Sequence, residues 1–306
     1  MKIVFIGTPR FADIVLKRLI ENKINPSLVI TATDKKAGRG QELSPSLVKE
    51  RAIKEEINVM EVDDKKNLYD VIKKEEPDLV IVAAFGIIIT KETLSLSKFI
   101  NVHPSLLPKY RGPSPIQSTI IDGVRETGVS IIEMDEGIDH GPIIATTKVN
   151  LEEDVTYLSA EEVLAEKGAD LLSSIIGKEI KGIEQSHLEA TYTPKIKKED
   201  GNIDWKESAD IIERKVRAYN PWPGSFTYSD MGKIKIIEAG VQEQTNDGPF
   251  GDPGKTYLAT NNNIAVQSGK DFFIIKKLQL EGKNPVTSKE FLNGNIQFIG
   301  SILKSS

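Results

Sequence analysis

The chain has 306 residues, 39% hydrophobic and 28% charged, the balance of a soluble globular protein with room for about two domains. Its 40 basic and 45 acidic residues give a net charge of −5, which argues against a protein that coats nucleic acid non-specifically; residues 201–306 carry 13 Lys and Arg against 12 Asp and Glu, so the acidity lies upstream. It has no cysteine, which excludes disulfides, thiolate nucleophiles and Cys-based zinc sites, and no run near the roughly 18 apolar residues of a membrane span.

In chain order, residues 2–6 read as a buried strand ended by Gly7. Thr8 is placed to cap a helix, with Pro9 at its first position and Phe11, Ile14, Val15 and Leu19 at helical spacing. A strand at Ser27–Ala32, a polar loop "DKKAGRGQELSPS" and a helix at Pro45–Glu55 follow. Further strand and helix patterns fall at Leu68–Lys74, Asp78–Ala84, Phe99–His103 and Gly128–Met134. Alternating strands and helices predict an α/β fold, a Rossmann-like, mostly parallel sheet covered on both faces. No GxGxxG follows the first strand, so a dinucleotide site is not expected. The run "HLEATYTPKIKKEDG" lacks periodicity and reads as a linker over 186–202. Beyond it come a helix at Ser208–Ala218 and strands at Ser225–Tyr228, Lys233–Val241, Ile264–Ser268 and Asp271–Leu280. "TSKE" at 287–290 matches a capping box. The expected domains are therefore 1–185 and 203–306, the second a small OB-like β-barrel.

Two clusters carry candidate chemistry. In "NVHPSLLPKYRG", Asn101 and His103 are two apart and share a strand face, with Val102 turned to the core. An amide beside an imidazole can bind a developing oxyanion and move a proton; a buried hydrogen-bonded pair is the structural alternative. In "MDEGIDHGP", Asp135, Glu136, Asp139 and His140 fit a solvated acidic loop, a metal site of no standard spacing, or a carboxylate that orients His103.

"NVHPSLLPKYRG", followed by "GIDHG", resembles the 10-formyltetrahydrofolate-dependent formyltransferase family. "FIGTPRFA", "DKKAGRGQELSPSLVK", "VAAFGIII", "TGVSIIEMDEGIDHGPI" and "RAYNPWPGSF" extend the resemblance over nearly the whole chain, toward the branch that formylates methionyl initiator tRNA. Pro104 stands where many relatives have Gly, and His140 where Thr or Ser is common. The resemblance implies that Asn101, His103 and Asp139 are the catalytic trio. It implies that Ser105, Leu106, Leu107 and Pro108 contact the folate, and that Phe85, Gly86, Ile87 and Ile88 line the pterin pocket. In the reaction it implies, the free amine attacks the formyl carbon, Asn101 and His103 stabilise the oxyanion, and Asp139 orients His103 and relays the proton. The co-substrate is 10-formyltetrahydrofolate and no metal is needed. Arg39, with Lys35 and Lys36, is expected to contact the tRNA, and Gly38 and Gly40 to let that loop change shape. Leu107-Pro108 is a candidate cis bond, and Trp222, between two prolines, a candidate packing anchor. A cytoplasmic monomer with no membrane partner is expected. The competing readings are a formyltransferase acting on an amino-sugar nucleotide and a silent folate- or RNA-binding module; the "AGRG" loop favours tRNA, and the intact trio favours an enzyme.

Overall fold

The computed structural model describes residues 1–37, 42–243 and 251–305. They form two compact units. The first comprises residues 1–115, 126–151 and 159–193; the second comprises 116–125, 152–158 and 194 onward.

Among the described residues, the first unit is built on a seven-stranded sheet. Its strands are β1 (Ile3–Gly7), β2 (Leu28–Ala32), β5 (Val59–Val62), β6 (Leu79–Ala83), β7 (Lys98–His103), β8 (Glu126–Glu133) and β9 (Ile143–Asn150). A separate hairpin pairs β3 (Lys35–Ala37) with β4 (Glu42–Ser44). The helices along this part of the chain are α1 (Arg10–Glu21), α2 (Leu47–Lys54), α3 (Lys65–Glu75), α4 (Lys91–Leu94), α5 (Pro115–Ile121) and α6 (Tyr157–Ile175); of these, α5 belongs to the second unit from residue 116 on. Sheet order is β5-β2-β1-β6-β7-β8-β9, parallel through β7 and antiparallel at β7/β8 and β8/β9. Every residue of β1 and β6 is buried, as expected of central parallel strands covered on both faces.

Several local expectations shift. Thr8 does not cap α1: its hydroxyl receives the Ala32 N–H at 3.1 Å and meets Thr31 Oγ1 at 3.3 Å, tying the ends of β1 and β2, while Pro9 takes the cap position. The segment read as a polar loop after β2 contains the antiparallel β3–β4 pair, with Lys35 opposite Ser44 and Ala37 opposite Glu42. The segment read as a linker is held in its first half: Arg111 N–H donates to Thr191 O, and Arg111 O accepts from Thr193 N–H.

α6 approaches the sheet closely. A Cβ on Gly168 would lie 2.7 Å from Val102 Cγ1 and 3.1 Å from Val129 Cγ1. Val102 is the inward residue between Asn101 and His103, so this contact fixes the depth of the strand that carries both.

The second unit has α7 (Ala209–Tyr219), then β10 (Ser225–Ser229), β11 (Gly232–Gln242), β12 (Thr256–Leu258), β13 (Ile264–Gln267), β14 (Phe272–Leu280), β15 (Val286–Thr287) and α8 (Ser288–Gly294). The sheet is antiparallel, ordered β10-β11-β14-β13-β12 with β15 on β14. Ile302 bridges Lys255 beside β12, and Lys304 bridges Tyr228 of β10, so the segment after α8 links the two edges into a ring. The capping box forms: Thr287 Oγ1 receives Glu290 N–H, and Glu290 Oε2 receives Thr287 N–H. Ile234 and Ile236 face the core while Lys233 and Lys235 alternate with them. Trp222 is no packing anchor, being 56% exposed; Trp205 is buried instead, donating to Thr227 Oγ1 at 3.0 Å with its edge against Phe273. Polar Asp204 and Lys206 on either side hide Trp205 from a periodicity argument.

Gly168→Leu should overpack this contact and cost about 1–3 kcal/mol of stability, read by urea unfolding. An unchanged midpoint would show that α6 can back away from β7 freely.

Candidate active site

Asn101 and His103 project from one face of β7, where Asn101 pairs with Ile132 and His103 with Ser130 of β8. The β8–β9 loop returns to that face and delivers Asp139. Its Oδ1 accepts from Asn101 Nδ2 at 3.1 Å, and its Oδ2 accepts from the Gly112 N–H at 2.8 Å. Asp139 has φ 48°, a left-handed conformation that Asp adopts more readily than most residues. His103 is 4% exposed. Its Nε2 lies 2.9 Å from the Tyr110 carbonyl, which only accepts, so the proton on that side belongs to the ring. Its Nδ1 is 3.4 Å from Asp139 Oδ2, an ion-pair distance but long for a hydrogen bond. Both ring nitrogens thus face oxygen acceptors. The three residues singled out from sequence meet at one point.

The Pro-rich run after β7 is clipped to β8. Ser130 Oγ donates to Ser105 O at 2.8 Å and accepts from Leu107 N–H at 3.1 Å, while Ser105 Oγ donates to Lys109 O. The Leu107-Pro108 bond is cis. Ser105 and Leu107 are buried, so only Leu106 and Pro108 of the four expected folate contacts keep accessible side-chain surface. Leu106 lies over Gly128, where a Cβ would come within 2.6 Å of Leu106 Cδ2.

Phe85, Gly86, Ile87 and Ile88 form the turn after β6. Phe85 and Ile87 pack with Met134 on the sheet core, Gly86 has open space beside it, and Ile88 is 80% exposed. A cavity of about 490 Å³ opens nearby in sequence terms, lined by Lys91, Leu94, Met134, Asp135, Glu136 and His140 among others. The Glu136 carboxylate, 2.6 Å from Lys91 Nζ, raises that ammonium's pKa.

Three residues escaped the sequence reading. Gln185 Nε2 donates to the carbonyls of Asp139 at 2.9 Å and Gly141 at 2.7 Å. The guanidinium of Arg111, only 1% exposed, forks onto Gln185 Oε1 and reaches His187 Nδ1 at 3.0 Å. The His187 ring stacks on His140 at 4.1 Å, and His140 Nδ1 meets Asp135 Oδ2 at 2.6 Å. The chain's three histidines therefore all belong to one connected set. The signal available in sequence was an Arg inside a Pro-rich run, next to Gly112. Among the described residues, no group of three or more acidic or histidine side chains is placed to hold a metal ion.

Of the expected tRNA contacts, Arg39 lies outside the described residues. Lys35 and Lys36 lie on β3.

The trio sits on a mostly parallel sheet whose central strands are buried on both faces. The model described as "Formyl transferase" matches residues 1–176, and "Formyl transferase, C-terminal domain" matches 195–295; the chain belongs to the formyl transferase family. It is 39% identical to the methionyl-tRNA formyltransferase of Caldanaerobacter subterraneus, over 99% of this chain and 100% of that one. It is likewise 39% identical to the enzyme of that name from Caldicellulosiruptor saccharolyticus, over 96% and 97%. Among solved structures, the N-formyltransferase of Helicobacter canadensis matches with a TM-score of 0.62 at 20% identity, covering 90% of this chain and 98% of that one. HypX of Aquifex aeolicus matches with a TM-score of 0.61 at 20% identity over 98% of this chain, which spans 48% of HypX. At these identities the two structures show the shared fold.

Ser130→Ala should leave the Leu107 N–H and the Ser105 carbonyl without their buried partner. A loss of about 1–3 kcal/mol by chemical denaturation is expected. A loss below about 0.5 kcal/mol would remove the clip from this account.

Proposed function

We propose that the protein transfers the formyl group of 10-formyltetrahydrofolate to the free amino group of methionyl initiator tRNA. The observation that carries the proposal is the meeting of Asn101, His103 and Asp139 on one face of β7. The near full-length relatives named methionyl-tRNA formyltransferase support tRNA as the acceptor over an amino-sugar nucleotide. A cytoplasmic monomer acting in translation initiation is part of the same reading. Among the described residues, no helix is long and apolar enough to cross a membrane.

The chemistry needs donors where negative charge gathers on the formyl oxygen, and a route for one proton from the amine to the departing folate nitrogen. Asn101 has two amide hydrogens; one is engaged by Asp139, and that bond aims the other at the formyl oxygen. His103 is anchored through Nε2 to Tyr110, which leaves Nδ1 as its working nitrogen, between Asp139 and the substrates. Asp139 takes up the amine proton and His103 Nδ1 gives one to the leaving nitrogen, restoring the pair. The 3.4 Å separation is of the kind that tightens when substrates bind. The folate is held by Leu106 and Pro108, with Ser105 and Leu107 as their buried support. An apolar wall from Phe85, Ile87 and Ile88, opened by Gly86, suits a flat ring system.

The catalytic domain is read as residues 1–185, joined through 186–202 to an OB-like tRNA-binding domain at 203–306. Arg39, Lys35 and Lys36 contact the acceptor end of the tRNA. Lys233 and Lys235, alternating with core isoleucines, offer a basic face to its phosphates.

Asn101→Ala, His103→Ala and Asp139→Ala should each lower kcat by orders of magnitude while folate binding persists, since each removes a group needed in the transition state. Near-normal turnover of His103→Ala would overturn the mechanism. Release of tetrahydrofolate with charged initiator tRNA, compared with an amino-sugar nucleotide, tests the acceptor.

Arg39→Ala should weaken tRNA by about 1–3 kcal/mol and leave the folate KM unchanged. Steady-state kinetics with each substrate varied in turn decide it; a change confined to folate counts against this contact. Replacing Lys233 and Lys235 together by Ala should flatten the salt dependence of tRNA affinity, measured by filter binding.

A further inference from the structure

We infer that Gln185 and the buried Arg111 are positioning residues for Asp139, acting through the backbone of the β8–β9 loop; the inference rests on reading Asp139 as one of the reacting trio. Gln185 is 5% exposed and its amide is saturated. Both Nε2 hydrogens go to loop carbonyls, those of Asp139 and Gly141 on either side of His140. Its Oε1 receives Arg111 Nε at 3.1 Å and Nη2 at 2.7 Å. A guanidinium has no acceptor, so it can face only the oxygen end of the amide. Arg111 thereby fixes which way Gln185 points, and with it the direction of the two donors that grip the loop.

The cost of this arrangement argues that it has a purpose. Among the described residues, no carboxylate lies within ion-pair distance of Arg111. Its guanidinium meets Gln185 Oε1, His187 Nδ1 and Tyr192 Oη, the last at 3.3 Å, instead. Burying a guanidinium without a counter-charge is expensive, and a site that needed only filling would be better served by apolar side chains. The planar fork supplies directional hydrogen bonds that a flexible ammonium does not. The backbone around it serves the same point. Gly112, the next residue, donates to the Asp139 carboxylate, and the preceding Tyr110 carbonyl anchors His103. One short segment thus holds the loop backbone, the carboxylate and the imidazole together. Asp139 keeps its left-handed φ of 48° inside this grip.

Gln185→Glu separates positioning from packing. The carboxylate accepts the Arg111 fork and gives it a counter-charge, but it has no hydrogen for the two loop carbonyls. With full-length protein, 10-formyltetrahydrofolate and charged initiator tRNA, the variant should stay folded at the assay temperature and keep a folate KM within about twofold, while kcat falls about 10- to 100-fold through a misplaced Asp139. Arg111→Lys, which keeps the cation and loses the fork, should lower kcat in the same direction by less. Wild-type kcat in Gln185→Glu would overturn the inference, and so would wild-type kcat in Arg111→Lys if Gln185→Glu does not fold. Asp139→Asn is assayed in parallel. Its turning over at the wild-type rate would remove the ground beneath both readings, whereas a slow Asp139→Asn beside a fast Gln185→Glu would sink the positioning role alone.

Discussion

The site depends on one carboxylate. Asp139 ties its own β8–β9 loop to two segments 27 and 38 positions earlier in the chain, the turn at 110–112 and strand β7. One oxygen holds the Asn101 amide; the other holds the Gly112 N–H and faces the His103 ring. Hydrogen bonds to a carboxylate are roughly twice as strong as neutral ones, which suits a tie between a strand and two irregular connections. The sheet register supplies the rest. With Asn101 opposite Ile132 and His103 opposite Ser130, the loop that leaves β8 is already within reach of both side chains.

Much of this was legible in the residues. The period of two along β7 placed Asn101 and His103 on one face and Val102 in the core. The continuous apolar runs of β1 and β6 announced central parallel strands. The irregular "NVHPSLLP" motif, through family resemblance, brought Asp139 to the pair; spacing alone left it among three readings. What stayed hidden was hidden for physical reasons. β9 is mostly half-exposed, with Thr146, Thr147 and Lys148 diluting its alternation. The Arg111–Gln185 contact spans 74 positions, and no local pattern reports a hydrogen bond of that reach. Gln185 also sits at the mouth of a stretch whose polar composition imitates a linker.

In the second unit, local rules carried further. The Thr287–Glu290 box and the alternation of Lys233, Ile234, Lys235 and Ile236 are properties of neighbouring residues, and both appear as read. Tryptophan burial is not such a property. Trp222, framed by prolines, looked fixed and is exposed, whereas Trp205, set in a polar run, is enclosed because Thr227 and Phe273 arrive from β10 and β14.

The two units are not consecutive along the chain, and this orders events during synthesis. All strands of the first sheet exist once Asn150 has been made, but residues 116–125 and 152–158 belong with a unit whose remainder begins at residue 194. On a ribosome, the first sheet can close while these two segments stay uncommitted. The second unit, in contrast, can be completed only when the chain beyond α8 has been made, because that segment bridges both Lys255 beside β12 and Tyr228 of β10; its two early segments therefore wait longest for the unit they belong to.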